Sequence, residues 1–119
     1  MKLINFTQEL EGQFCRENRQ PLKEVSDLSD QVSLEVYYFQ LDKEKVNQYG
    51  VDKIPATVIE GEKDYGIRYY GLTAGYEFAT LLQDIADVSK KESGLSDEIK
   101  DQLQRMNKKV HLQVFTTPT

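Results

Sequence analysis

The sequence predicts an α/β domain in the order β-α-β-α-β-β-α, with a mixed four-stranded sheet flanked by helices, and three observations predict it. Hydrophobic period switches repeatedly between strand and helix spacing along the 119 residues. Two strand-like runs near the start are separated by a helical stretch, which calls for a parallel pair joined by a crossover. Two further runs flank the short polar turn Gly61-Glu62-Lys63-Asp64, which calls for a hairpin.

Leu3, Ile4 and Phe6 make a short apolar run of the kind found in buried strands, and Gln8 to Gly12 interrupts it. From Gly12 to about Asp30, Phe14, Leu22, Val25 and Leu28 recur at helical spacing. Pro21 removes a hydrogen bond from that helix, so a kink or a restart is expected there. Gln31 to Phe39 alternates and is rich in β-branched and aromatic residues, the mark of a second strand. Asp42 to Tyr49 reads as a short helix with Asp42 as N-cap and Gly50 as its left-handed stop.

Ala56 to Ile59 and Tyr65 to Tyr70 are the hairpin strands, and Pro55, which has no N–H for a ladder, opens the first. Phe78, Leu81, Leu82, Ile85 and Val88 then share one face of a helix from about Gly75 to Lys90. Glu77 in its first turn and Lys90 in its last complement the helix dipole. Ser96 caps a further helix bearing Ile99, Leu103 and Met106 on one side. Val110 to Phe115 alternates like a strand and echoes Lys2 to Thr7, as though the end of the chain began the domain again. A lone strand needs a neighbour, so this one is expected to pair with an edge of its own sheet or with another copy's, the latter giving a homodimer.

Length and composition narrow the function. A chain of this size buries about two-thirds of its unfolded surface in one core. A formal net charge of -5 with scattered bases argues against nucleic acid and anionic membrane as partners. One cysteine, Cys15, excludes an intrachain disulfide, and with His111 as the single histidine there is no Cys/His metal cluster. No metal and no cofactor are expected. The start is too short and too soon interrupted for a signal peptide, no apolar run approaches membrane-spanning length, and a reducing, cytoplasmic setting follows as the expectation.

The element order, the proline opening the third strand, and the motifs Lys2-Leu3-Ile4-x-Phe6-Thr7, Ile54-Pro55-Ala56-Thr57, Tyr65-Gly66-Ile67-Arg68-Tyr69-Tyr70-Gly71, Ala74-Gly75-Tyr76-Glu77-Phe78 and Phe115-Thr116-Thr117-Pro118-Thr119 resemble one family. It is the thioredoxin/glutaredoxin-like two-unit protein disulfide oxidoreductases of archaea and thermophilic bacteria. More distantly the chain resembles the tandem N-terminal domain of the alkyl hydroperoxide reductase flavoprotein. The resemblance spans essentially the whole chain and is most specific from Arg68 to Phe78. It implies a Cys-x-x-Cys at the start of the first helix, with a cis-proline loop against it. It also implies a second unit whose Cys-x-x-Cys follows a Thr-Pro-Thr like Thr117-Pro118-Thr119. On this likeness residues 1–92 are a thioredoxin-like unit, and 93–119 are a helix plus the first strand of a missing second unit.

The first unit departs from that pattern, because Gly12-Gln13-Phe14-Cys15 falls on the Cys-x-x-Cys. The attacking position is Gly12 and only the resolving position, Cys15, keeps a thiol. A single thiol cannot cycle as a dithiol and stops at a mixed disulfide. Cys15 as a monothiol nucleophile competes with Cys15 as a small buried apolar residue, the commoner fate of a lone cysteine. Ile54 and Pro55 as a substrate platform compete with the same pair as an inherited fold element. Glu77 resembles an acid that tunes the cysteine of the other unit, against the simpler role of a carboxylate at a helix start. The expectation is a redox-degenerate unit supporting a following thiol-disulfide oxidoreductase unit, with weak monothiol, glutaredoxin-like activity on disulfide-containing proteins as the alternative.

Overall fold

The computed structural model describes residues 1–8, 13–73 and 75–117, and for 13–15 and 76 the backbone alone. The elements are β1 (Lys2–Thr7), α1 (Gln13–Asp27), β2 (Ser33–Tyr38), α2 (Lys43–Tyr49), β3 (Ala56–Glu60), β4 (Asp64–Tyr70), α3 (Tyr76–Lys90) and α4 (Asp97–Gln104). The sheet runs β2-β1-β3-β4, with β1 and β2 parallel and the β1-β3 and β3-β4 pairs antiparallel.

Alternation along β1 divides the core between the two faces of the sheet. Ile4 and Phe6 point to one face with Ala56 and Val58, where α2 supplies Val46 and Tyr49. Leu3 points to the other with Ile59, where α1 supplies Leu22 and α3 supplies Leu81 and Ile85. Helices thus cover both faces of a mixed sheet, as a parallel β1-β2 pair requires.

Several local expectations changed. α1 runs through Pro21 as one helix rather than restarting, and Leu28, expected on its apolar face, lies beyond its end and is 86% exposed. Leu82 is half-exposed, while Leu81 and Ile85 carry the packing. Asp42 does precede α2, yet its carboxylate accepts from the Tyr38 N–H at 2.7 Å instead of capping the helix. Gly50 ends α2 with φ 64°, the left-handed stop expected of it. α4 starts as expected, with the Ser96 hydroxyl accepting from the Ile99 N–H.

The expectation that Val110 to Phe115 adds a strand to the chain's own sheet is corrected. The segment has no strand structure and pairs with neither edge, and Leu112, Val114 and Phe115 are 85 to 90% exposed. Period-two alternation prepares a face for burial, but strand structure requires ladder bonds to a neighbour. Every described residue from Lys91 onward is exposed, so the core is complete without α4 and the tail.

Candidate functional site

The proline loop lies at the end of the sheet where β3 starts and β4 stops. The Ile54–Pro55 bond is cis, Pro55 is buried and Ile54 half-buried. The Pro55 carbonyl accepts from the Gly71 N–H at 2.8 Å, which ties the start of β3 to the end of β4. Gly71 holds φ +91°, a conformation L side chains rarely adopt, so glycine is needed to close this clamp.

Beneath lies a buried polar seam. Asn18 of α1 donates from Nδ2 to Thr57 Oγ1 at 3.1 Å, and its Oδ1 accepts from both the Thr73 N–H and the Thr73 hydroxyl at 2.9 Å. All three residues are fully buried. Asn18 is three residues past Cys15, Thr57 two past Pro55, and Thr73 four before Glu77. One amide side chain therefore holds α1, the proline strand and the approach to α3 in fixed relation. The buried polar residues Asn5, Thr7, Asn18, Thr57 and Thr73 are all neutral, so among the described residues this region contains no buried acid or base to take a proton from a thiol.

Cys15 is the third residue of α1 and Gly12 lies outside the described residues, as does the Cys15 side chain. Glu77 stands in the first turn of α3, half-buried, and accepts a hydrogen bond from the Thr116 hydroxyl. That contact brings the tail, otherwise unpaired with the sheet, to the same helix start. His111 lies on the exposed tail.

Other polar clusters lie elsewhere. The Arg68 guanidinium grips Asp64 with two bonds, of 2.8 and 2.6 Å, and holds that carboxyl below the usual range, aided by the Gly66 N–H. Burial, then a hydrogen bond to Glu60, pushes the Tyr49 phenol up to about 12. Burial, then a bond to Asp84, raises the Tyr69 phenol. An open groove of about 370 Å³ between Tyr65, Ile67 and Val88 lies toward the far end of α3, some 11 residues from Glu77 and so about 16 Å along the helix. No group of His, Cys, Asp and Glu among the described residues is placed to hold a metal ion, and none of the helices is long and apolar enough to cross a membrane.

Asn18, Thr57 and Thr73 were missed by sequence reasoning. A signal for Asn18 was present, since it falls on the stripe Phe14, Leu22, Val25 at a spacing of four from Phe14 and Leu22. An amide on an apolar stripe must find buried partners.

Solved structures carry a similar fold. A protein disulfide oxidoreductase from Aeropyrum pernix K1 matches with a TM-score of 0.76 and 25% identity, over 87% of this chain and 46% of that one. The fold is thioredoxin-like. The alkylhydroperoxide reductase AhpF of Enterococcus faecalis matches with a TM-score of 0.78 and 21% identity over 87% of this chain and 50% of its own. Fasciola hepatica thioredoxin matches with a TM-score of 0.60 and 18% identity over 74% and 80% of the two chains. This thioredoxin-like chain thus spans about half the length of the first two. No protein-family model and no curated protein sequence matches it.

Proposed function

We propose that the chain is a redox-degenerate N-terminal thioredoxin-like unit, residues 1–92, that supports a thiol-disulfide oxidoreductase unit whose Cys-x-x-Cys follows residue 119. One observation carries the reading: Cys15 is the single cysteine and Gly12 takes the attacking position, so no dithiol is available. The neutral polar seam supports it, because among the described residues it offers a thiol no internal base. The oxidoreductase from Aeropyrum pernix, of which this chain covers 46%, supports the second unit. So does the Thr116 contact with Glu77, which brings the tail to the start of α3. In this reading Glu77 is a positioning residue whose charge acts on the following unit's cysteine, and residues 93–119 are a connecting helix and that unit's first strand. The setting is reducing and cytoplasmic, with no cofactor or metal of its own.

The test is thiol-dependent disulfide turnover, with insulin and dithiothreitol, by the isolated chain beside a thioredoxin control. Background rates are expected, and multiple turnovers abolished by Cys15→Ser would overturn the reading. The survival of the Ile54–Pro55 loop favours a second reading, in which Cys15 attacks mixed disulfides and Ile54 and Pro55 present backbone to a disulfide-containing protein. Reaction of Cys15 with a thiol reagent across pH separates the two: an alkaline midpoint removes the monothiol, an acidic one supports it. A homodimer through Val110 to Phe115 is a further arm, checked by sedimentation of the whole chain against one ending at Met106. A monomer in both discards it.

A further inference from the structure

Asn5 and Thr7 of β1 are fully buried, yet Asn5 Nδ2, Asn5 Oδ1 and Thr7 Oγ1 have no hydrogen-bond partner among the described residues. Both share the face of Leu3, under α1 and α3, by strand alternation. Buried polar groups are nearly always paired, because each one left unpaired forfeits its bonds to water with no return. Three such atoms on one face of an inner strand therefore point to a bonding partner between them.

We infer that Asn5 and Thr7 hold an internal water site beneath α1, with Thr57 at its margin. The spacing fits water. Same-face residues two apart on a strand are about 6.6 Å apart along it, too far for these short side chains to reach each other easily. A water bonded to each at about 2.8 Å spans about 5.6 Å. The chemistry fits as well. An asparagine amide offers two donors and an acceptor, and a threonine hydroxyl one donor and an acceptor, a set that water, with both capacities, satisfies. An apolar ligand would leave all three atoms unpaired. The buried polar residues here are neutral, so among the described residues none supplies a charge to hold an ion. Thr57 stands directly opposite Asn5 in the β1-β3 register, and its hydroxyl, which accepts from Asn18, still has a proton to give. The water thus extends the Asn18 seam from the approach to α3 to the end of β1, and ties that end to the helix bearing Cys15.

The test is magnetisation transfer from water to the protein by NMR, on the full chain. Long-lived water cross-peaks are expected at the Asn5 side-chain amide and at the Thr7 side chain. Thr7→Val, nearly isosteric, is expected to weaken the Asn5 cross-peak at least severalfold, while Thr7→Ser keeps it. Asn5→Leu is expected to abolish the water cross-peak at the Thr7 side chain and to lower the unfolding midpoint; Thr7→Val and Thr7→Ser settle the question without it should that variant not fold. No water cross-peak at Asn5 in the native chain overturns the inference, as does an undiminished one in Thr7→Val. A higher unfolding midpoint for Asn5→Leu also overturns it, since that marks a dry, unpaired amide.

Discussion

Replacing Asn18 with leucine tests whether one side chain joins the three segments of the site. Leucine has a similar volume, so packing changes little, but three buried bonds vanish: Nδ2 to Thr57, and two from Thr73 to Oδ1. The Thr73 backbone N–H is then buried and unpaired, at about 1–3 kcal/mol, and each stranded hydroxyl adds about 1 kcal/mol or less. Leucine recovers a few tenths of a kcal/mol in helix propensity and some apolar burial. The net expectation is a loss of about 2–4 kcal/mol, or about 8–16 °C in Tm at about 4 °C per kcal/mol for a domain of this length. Thr73→Val and Thr57→Val each remove one hydroxyl and leave the Thr73 N–H paired, so each is expected to lose about 1 kcal/mol. Urea unfolding followed by circular dichroism gives the three values, and hydrogen exchange should show the Thr73 amide opening faster in Asn18→Leu alone. An Asn18→Leu variant no less stable than Thr73→Val would refute the reasoning.

The remaining predictions concern the frame. Leu22→Ala, in the core beneath α1, should cost about 3 kcal/mol, whereas Ile99→Ala and Leu103→Ala on half-exposed α4 positions should stay within about 0.5 kcal/mol, and a chain ending at Glu92 should keep its Tm within about 2 °C. Gly61→Ala would set a Cβ 2.6 Å from Val88 Cγ1, an overpacking of about 1–3 kcal/mol that Val88→Ala should relieve in a double-mutant cycle. The Arg68 bonds lower the Asp64 pKa in the fold relative to the unfolded value of about 3.9, so their stabilisation is complete above that value and is lost as pH falls through the folded pKa. Asp64→Asn should therefore destabilise by about 0.5–1 kcal/mol at neutral pH, given partial exposure, and flatten stability below about pH 4 in acid titrations followed by fluorescence.

The parts of the fold legible in the sequence are those whose signals are local. The Gly61 turn, the Gly50 stop and the Ser96 cap each act within a few residues, and each sits where the local chemistry puts it. What depended on distant partners was not legible. Asp42 looked like a cap, but the Tyr38 N–H at the end of β2 competes for the same carboxylate. Leu28 lies past the end of α1 and Leu82 at the side of the α3 stripe, and both are exposed. The polar seam was hidden for the same reason: Thr57 and Thr73 are ordinary residues of a strand and a loop, and only Asn18, 39 and 55 positions away from them, gives them a role.

The echo between the two ends of the chain shows how much partners decide. Lys2 to Thr7 and Val110 to Thr116 carry similar patterns, yet one is the buried centre of a sheet and the other is exposed. β1 is buried because β2 comes beside it through α1 and β3 comes to its other side, so each of its faces meets helices. The tail has neither neighbour. Val110, Leu112, Val114 and Phe115 together would gain about 6–12 kcal/mol if buried as β1 is, comparable to the whole stability of a domain. Under the proposed function, that energy couples the folding of a following unit to this one, and the Thr116 bond to Glu77 sets where the two meet. On that reading, a unit without a working dithiol keeps its helix start at Glu77 as the place where a following unit docks, and keeps its buried seam and its clamp at Pro55 because they hold that helix start in position.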